Sequence, residues 1–171
     1  MGKCADMSLV AAQSISPDHV FHHTMQRARG AGRLSTKQGD NVTRINRLYQ
    51  DGCAKIRLPH THSNALEAVL INTAGGLTGG DQMDWTADIA DNGKAVLTTQ
   101  ACERIYRSLG GPATVRTTLN VGKNAHLDWL PQETILFASS QLDRRINIDL
   151  AAGASLTAVE AILLGRDAMG E

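Results

Sequence analysis

Aromatic side chains are scarce in this chain, with two each of Trp, Tyr and Phe among 171 residues, so any core has to be built from Leu, Ile, Val and Ala. An excess of charge is also missing: 17 Lys and Arg balance 17 Asp and Glu. That balance points to neither nucleic acid nor an anionic membrane as a partner. No apolar run approaches the roughly 20 residues that cross a bilayer. Residues 8–12 are too short and too weakly apolar for a signal-peptide core, so the expected setting is the cytoplasm. Three cysteines, Cys4, Cys53 and Cys102, form no C-x-x-C pair, which argues against a disulfide framework and a preformed zinc site. Neither an H-E-x-x-H motif nor a nucleophile elbow is present. The length suits one domain with a real core.

Glycine, by contrast, is concentrated. Residues 72–81 read N-T-A-G-G-L-T-G-G-D, with Gly75, Gly76, Gly79 and Gly80 followed by Asp81. Such density means positive φ or close approach of something to the backbone. A P-loop would need Lys and Ser/Thr after its last glycine, whereas Asp81 would repel phosphate, and G-x-G-x-x-G is absent. A structural turn and an interaction loop carrying an acid remain as readings.

Residues 1–26, which include Pro17, His22 and His23, lack periodicity and read as a loosely ordered leader before a domain over 27–171. Residues 42–49 form a candidate strand, Asp51-Gly52 a hairpin-type turn, and residues 53–58 a returning strand. His60 and His62 follow in a polar connection. If that connection is extended they point the same way and can contact a metal, although loop polarity explains them equally well.

The chain then repeats. Ile89, Leu119 and Ile148 lie near the ends of alternating runs, and Leu97, Leu127 and Leu156 anchor the returning ones; both sets are spaced by 30 and then 29 residues. A turn separates each pair of runs. A fixed period of this size predicts stacked supersecondary units, read here as β-hairpins, in a mainly β, helical and solenoid-like fold with few short helices. Residues 100–107 read as one or two helical turns or an irregular segment. Beside Arg104, Cys102 can bind a soft metal or be a reduced, partly buried thiol. Glu133 and Glu160 are carboxylates set in apolar surroundings, which is costly without a partner, hydration or a cavity.

Four blocks, N-T-A-G-G-L-T-G-G-D, T-T-Q-A-C-E-R-I-Y-R-S, L-D-W-L-P-Q-E-T-I-L-F and L-L-G-R-D-A-M-G-E, resemble in order the signature blocks of the urease accessory protein UreD (UreH) family. The resemblance runs from about Arg27 to Glu171. It implies a β-rich, non-enzymatic maturation factor that binds the urease apoprotein and recruits UreF and, through UreF, the GTPase UreG. It also implies nickel passing through internal tunnels rather than a tightly bound cofactor. Asp81 and Glu160, with Glu103 and Glu133 as further candidates, are then acids for the nickel route or an interface, and for Asp81 capping of the glycine turn's amides is an equal alternative. His60, His62 and Cys102 stay as possible metal contacts. Because members of that family usually continue beyond the final G-E, the domain is expected to be truncated at its C-terminus, with an uncovered edge that favours aggregation or a partner. The competing expectation is a stand-alone ligand-binding or enzymatic β domain that uses the glycine-rich loop at 75–81.

Overall fold

The computed structural model describes residues 26–165 and Gly170. The expected leader, apart from Gln26, lies outside the described residues, as does most of the final R-D-A-M-G-E stretch. Every regular element among the described residues is a strand: β1 (Arg29–Gly39), β2 (Val42–Gly52), β3 (Ala54–Arg57), β4 (Leu66–Asn72), β5 (Gln82–Ile89), β6 (Lys94–Thr99), β7 (Glu103–Ile105), β8 (Ala113–Val121), β9 (His126–Leu130), β10 (Thr134–Leu136), β11 (Leu142–Leu150), β12 (Ser155–Ala158) and β13 (Ile162–Leu164).

These strands build three sheets, ordered β11-β8-β5-β1-β2, β12-β9-β6-β4-β3 and β13-β10-β7. Each successive coil places one strand in each sheet, so β5-β6-β7, β8-β9-β10 and β11-β12-β13 stack as a β-solenoid of about three turns. Neighbouring coils pair in parallel throughout. β1, β4 and an isolated bridge from Leu77 to Ile105 form an incomplete coil before them. The expected mainly β, solenoid-like fold is what the chain adopts.

The units are assembled differently from the expected hairpins. In each repeat the two long strands lie in different sheets and pair with the neighbouring coils, not with each other. Asp51-Gly52 likewise carries the chain from one sheet to another, because β2 pairs with β1 while β3 pairs with β4. The true hairpin joins β1 to β2 through Asp40 and Asn41, both at positive φ (50° and 59°), as a two-residue primed turn requires. Residues 100–107 form no helical turn, because the Leu77 amide bonds the Arg104 carbonyl and the Tyr106 amide bonds the Leu77 carbonyl, drawing the segment into the ladder.

The period also shifts. Register steps by 32 residues from Gln82 to Thr114, then by 29 from Ala113 to Leu142. Ile89 therefore stacks on Val121, while Leu119 stacks on Ile148. The extra length is absorbed at corners: the run from Ile105 to Ala113, which holds Gly110 and Gly111, is longer than its counterpart from Leu136 to Leu142. A slip of two residues leaves every side chain on its expected face.

Inward columns make the core. Leu34, Ala68, Leu70, Ala87, Leu97, Leu119, Leu127 and Trp129 pack between the two five-stranded sheets. Leu77, Met83, Ile105, Ala113 and Val115 fill the corner next to the short sheet. Gly32 in β1 lies opposite Trp85, and a Cβ there would stand 2.3 Å from the indole, so its absence makes room for the ring.

The two ends of the stack differ. β2 and β3 run antiparallel along the outer edges of β1 and β4 and close the first end. At the other end β11, β12 and β13 are the last strands of their sheets, and Ile148, Leu150, Val159, Ile162, Leu163 and Leu164 are exposed, Leu164 by 75%.

Candidate functional site

The strand pattern places a line of polar groups inside this apolar stack, one coil after another. Parity in β4 turns Leu66, Ala68 and Leu70 inward and carries Asn72 to the same side. In the next coil Glu103 enters β7 with Ile105 on its inward face. Asn72 Nδ2 donates to both oxygens of Glu103, at 3.0 and 3.2 Å. One coil further, Thr134 stands in register beside Glu103 and is buried. Its Oγ1 accepts Arg144 Nη1 at 3.0 Å from the third coil. Arg144 Nη2 donates to Glu160 Oε1 at 2.7 Å, and Trp129 Nε1 reaches the same oxygen at 3.4 Å. With coils about 4.8 Å apart, the line from Asn72 to Glu160 runs roughly 14 Å along the axis.

Burying such groups is costly unless each finds a partner. Most do, but two atoms do not: Thr117 Oγ1, in a side chain 1% exposed, and Arg144 Nε are buried without a hydrogen-bond partner. Both belong to the inward face of one sheet, where Thr117 stacks on Trp85 and Ile146. At the Asn72 end a cavity of about 140 Å³, lined by Asn72, Gly76, Trp85, Cys102 and Glu103, has room for about four waters. At the other end, on the last described coil, the Glu160 side chain is 35% exposed.

Electrostatics follow burial. Glu103 is pushed above the ordinary glutamate range by desolvation, partly offset by the Asn72 amide, the Arg104 backbone amide and the Arg144 charge. Burial likewise pushes the Cys53 thiol up, and the Asp81 and Glu103 carboxylates add to it, so Cys53 is a poor nucleophile.

Asp81 stands apart from the line. Its Oδ1 accepts the Ala28 amide and its Oδ2 the Thr78 amide, both at 2.8 Å, while its own carbonyl accepts the Thr114 amide. It thus clamps the starts of β1, β5 and β8 at one corner. The glycines before it are explained by the same packing. Gly75, Gly76 and Gly80 have positive φ, and a Cβ at Gly76 or Gly79 would strike Tyr106, Ser108 or the Gly111 carbonyl. At Gly76 and Gly79 the space a side chain would occupy is filled by the chain's own next coil.

Glu133 is half-buried, and its carbonyl accepts the Glu103 amide at 2.9 Å. Cys102 is half-buried on the cavity wall. His60 and His62 are exposed on the connection from β3 to β4, which bends rather than extends. Among the described residues no three His, Cys, Asp or Glu side chains converge as a metal site. No helix among them is long and apolar enough to cross a membrane.

Sequence reasoning reached Glu103 and Glu160 but missed Asn72, Thr117, Thr134 and Arg144. The available signal was parity. Arg144 shares a face with Leu142, Ile146 and Ile148, and Thr117 one with Val115 and Leu119, so each is a polar residue at an apolar position.

The fold and the line inside it define a class, a β-solenoid with a polar thread through its core. The chain belongs to the UreD family: the family model described as UreD urease accessory protein matches residues 28–171. It is 63% identical over 147 residues to the urease accessory protein UreD of Chelativorans sp. (strain BNC1), covering 86% of this chain and 53% of that protein. It is 58% identical over 146 residues to UreD of Rhizobium leguminosarum bv. trifolii, covering 85% and 54%. With urease accessory protein UreD 1 of Brucella ovis the identity is 54% over 157 residues, covering 92% and 56%. The chain spans about half the length of the curated relatives it matches.

Two outcomes follow from this geometry. Asp81→Ala leaves the Ala28 and Thr78 amides without their acceptor and should cost about 2 kcal/mol or more, read from urea unfolding. For Glu103, a raised folded pKa means that the folded chain holds more protons than the unfolded one, from the ordinary glutamate range up to the raised value. Stability from this group is therefore present at acid pH and lost as pH rises through that window. Glu103→Gln should raise the thermal midpoint at neutral pH and leave it unchanged below the window. Equal midpoints at neutral pH would contradict the assignment.

Proposed function

We propose that the chain serves urease maturation as a nickel-insertion factor. In this reading it binds the urease apoprotein and recruits UreF and, through UreF, the GTPase UreG, in the cytoplasm. The observation that carries the proposal is the polar line from Asn72 to Glu160 through an otherwise aliphatic stack. Its oxygen donors are strung along an axis instead of converging on a point. Carboxylate and amide oxygens attract Ni²⁺ but release it more readily than a cage of Cys and His. That chemistry suits cargo in transit.

In this reading Glu160 and Glu103 meet nickel in turn. Glu133 and Cys102 flank the route, and Asp81 holds the corner that keeps the coils in register. His60 and His62 lie off the route. Ligand binding or catalysis by the loop at 75–81 is the weaker reading, since Gly76 and Gly79 pack against the next coil and their spacing has a structural cause.

The test is co-purification of the chain with UreF and apo-urease, with nickel in the urease then measured by elemental analysis. Wild type and Glu103→Gln/Glu160→Gln should capture both partners equally, and nickel loading should fall roughly tenfold or more in the double variant, the scale on which losing metal-supporting groups acts. Unchanged loading would reduce the chain to a scaffold. Failure of the wild type to capture either partner would sink the maturation reading.

A further inference from the structure

The end of the stack closed by β2 and β3 differs chemically from the rest of the chain. Residues 29–57 carry seven Lys and Arg, all exposed, against two acids, Asp40 and Asp51, in a chain that is neutral as a whole. Among the described residues none of the seven forms an ion pair with an acid. Lys37 and Arg44 stand directly opposite each other across the β1–β2 hairpin, a like-charge pairing that costs stability. Unpaired charge of one sign, held against local stability, attracts an acidic surface.

Beside this charge lies an apolar floor. Alternation in β4 turns Val69 and Ile71 to the outer face of their sheet, and antiparallel pairing sets Arg57 and Lys55 beside them. Leu58 and Leu48, the latter 40% exposed, extend the apolar surface. Together they form a shallow groove of about 1090 Å³ with Lys55 and Arg57 on its rim. So open a shape suits a segment of a protein better than an enclosed small molecule. Addition of a strand to β3 is not on offer, because the Ile56 amide of this edge strand is already taken by Gln50 Oε1 at 2.6 Å. An occupant therefore lies across the face, with apolar side chains on the floor and carboxylates at the rim. Lys55 Nζ uses one donor on the Gly52 carbonyl, at 2.8 Å, and keeps two for such a carboxylate.

The groove also has a neighbour. Ile71 and Gln100 line both it and the cavity that holds Asn72 and Glu103. In the transit reading Glu103 is the last acid that nickel meets, so a protein seated in the groove is placed as the recipient. We propose that this groove docks the urease apoprotein, through a segment of that protein in which apolar and acidic side chains alternate. This rests on the maturation reading above and adds the face that meets the recipient.

The experiment immobilises the full chain and measures binding of apo-urease and, separately, of UreF at about 0.1 M and about 1 M salt, where exposed charges are respectively felt and screened. The variants are Lys55→Glu/Arg57→Glu, Leu48→Ser and a charge control on another sheet, Arg145→Glu, whose side chain is 68% exposed. Each is first compared with wild type by circular dichroism, and Lys55→Gln/Arg57→Gln replaces the charge reversal should that fail to fold. Charge reversal should weaken apo-urease binding about tenfold at the lower salt and Leu48→Ser about threefold, with the charge effect shrinking at the higher salt. UreF binding, and both partners' binding to Arg145→Glu, should match wild type. Apo-urease binding unchanged in the groove variants overturns the docking and leaves the maturation reading standing. A loss confined to UreF seats a different partner in the groove and overturns it as well. Wild type that binds neither protein overturns both.

Discussion

Everything in this molecule depends on the parallel backbone ladder between coils. Because each coil bonds its neighbour in parallel, equivalent positions stack over one another from one coil to the next. A column of leucines or valines then buries itself without any aromatic scaffolding, which explains how a chain with so few aromatic rings can have a close-packed core. The same stacking governs polar residues. One buried carboxylate in an aliphatic column would be destabilising, but a polar group in every coil gives each a partner one step away. Asn72 bonds Glu103 and Arg144 bonds Thr134 across neighbouring coils, Thr134 stands in register beside Glu103, and Arg144 pairs with Glu160 within its own coil.

The ladder must also be started correctly, and that is the role of the glycine-rich loop and Asp81. The carboxylate fixes the amides of Ala28 and Thr78, and the glycines let the loop lie against residues 104–111 of the next coil. The β2–β3 excursion closes that end by laying antiparallel strands on the two long sheets. At the far end β11, β12 and β13 are, among the described residues, the last strands of their sheets, and they carry exposed apolar side chains.

Much of the fold was legible in the sequence because alternation is insensitive to small errors of register. Reading the first repeat as 30 residues when the coils step by 32 changes which residues stack but not which face they share. What alternation cannot reveal is whether two adjacent runs pair with each other or with equivalents a coil away, and so the repeats read as hairpins. The site was half legible for a related reason. An acid in an apolar run stands out, which exposed Glu160, whereas Glu103, set among polar residues, came only from the family resemblance. Arg144, Thr117 and Thr134 are ordinary strand residues until parity puts them indoors, and Asn72 is masked by the glycines after it. Asp81 as an acid of the nickel route came from the family resemblance, whose motif cannot tell a ligand from a clamp.

The most direct measurement of the interior line is anomalous X-ray scattering from crystals of the chain soaked in nickel. The account predicts a nickel peak inside the stack between Glu160 and Asn72, against a carboxylate oxygen of Glu160 or Glu103. Nickel found only on the surface, at His60 or His62, would contradict it and leave the polar line as a structural feature of the solenoid.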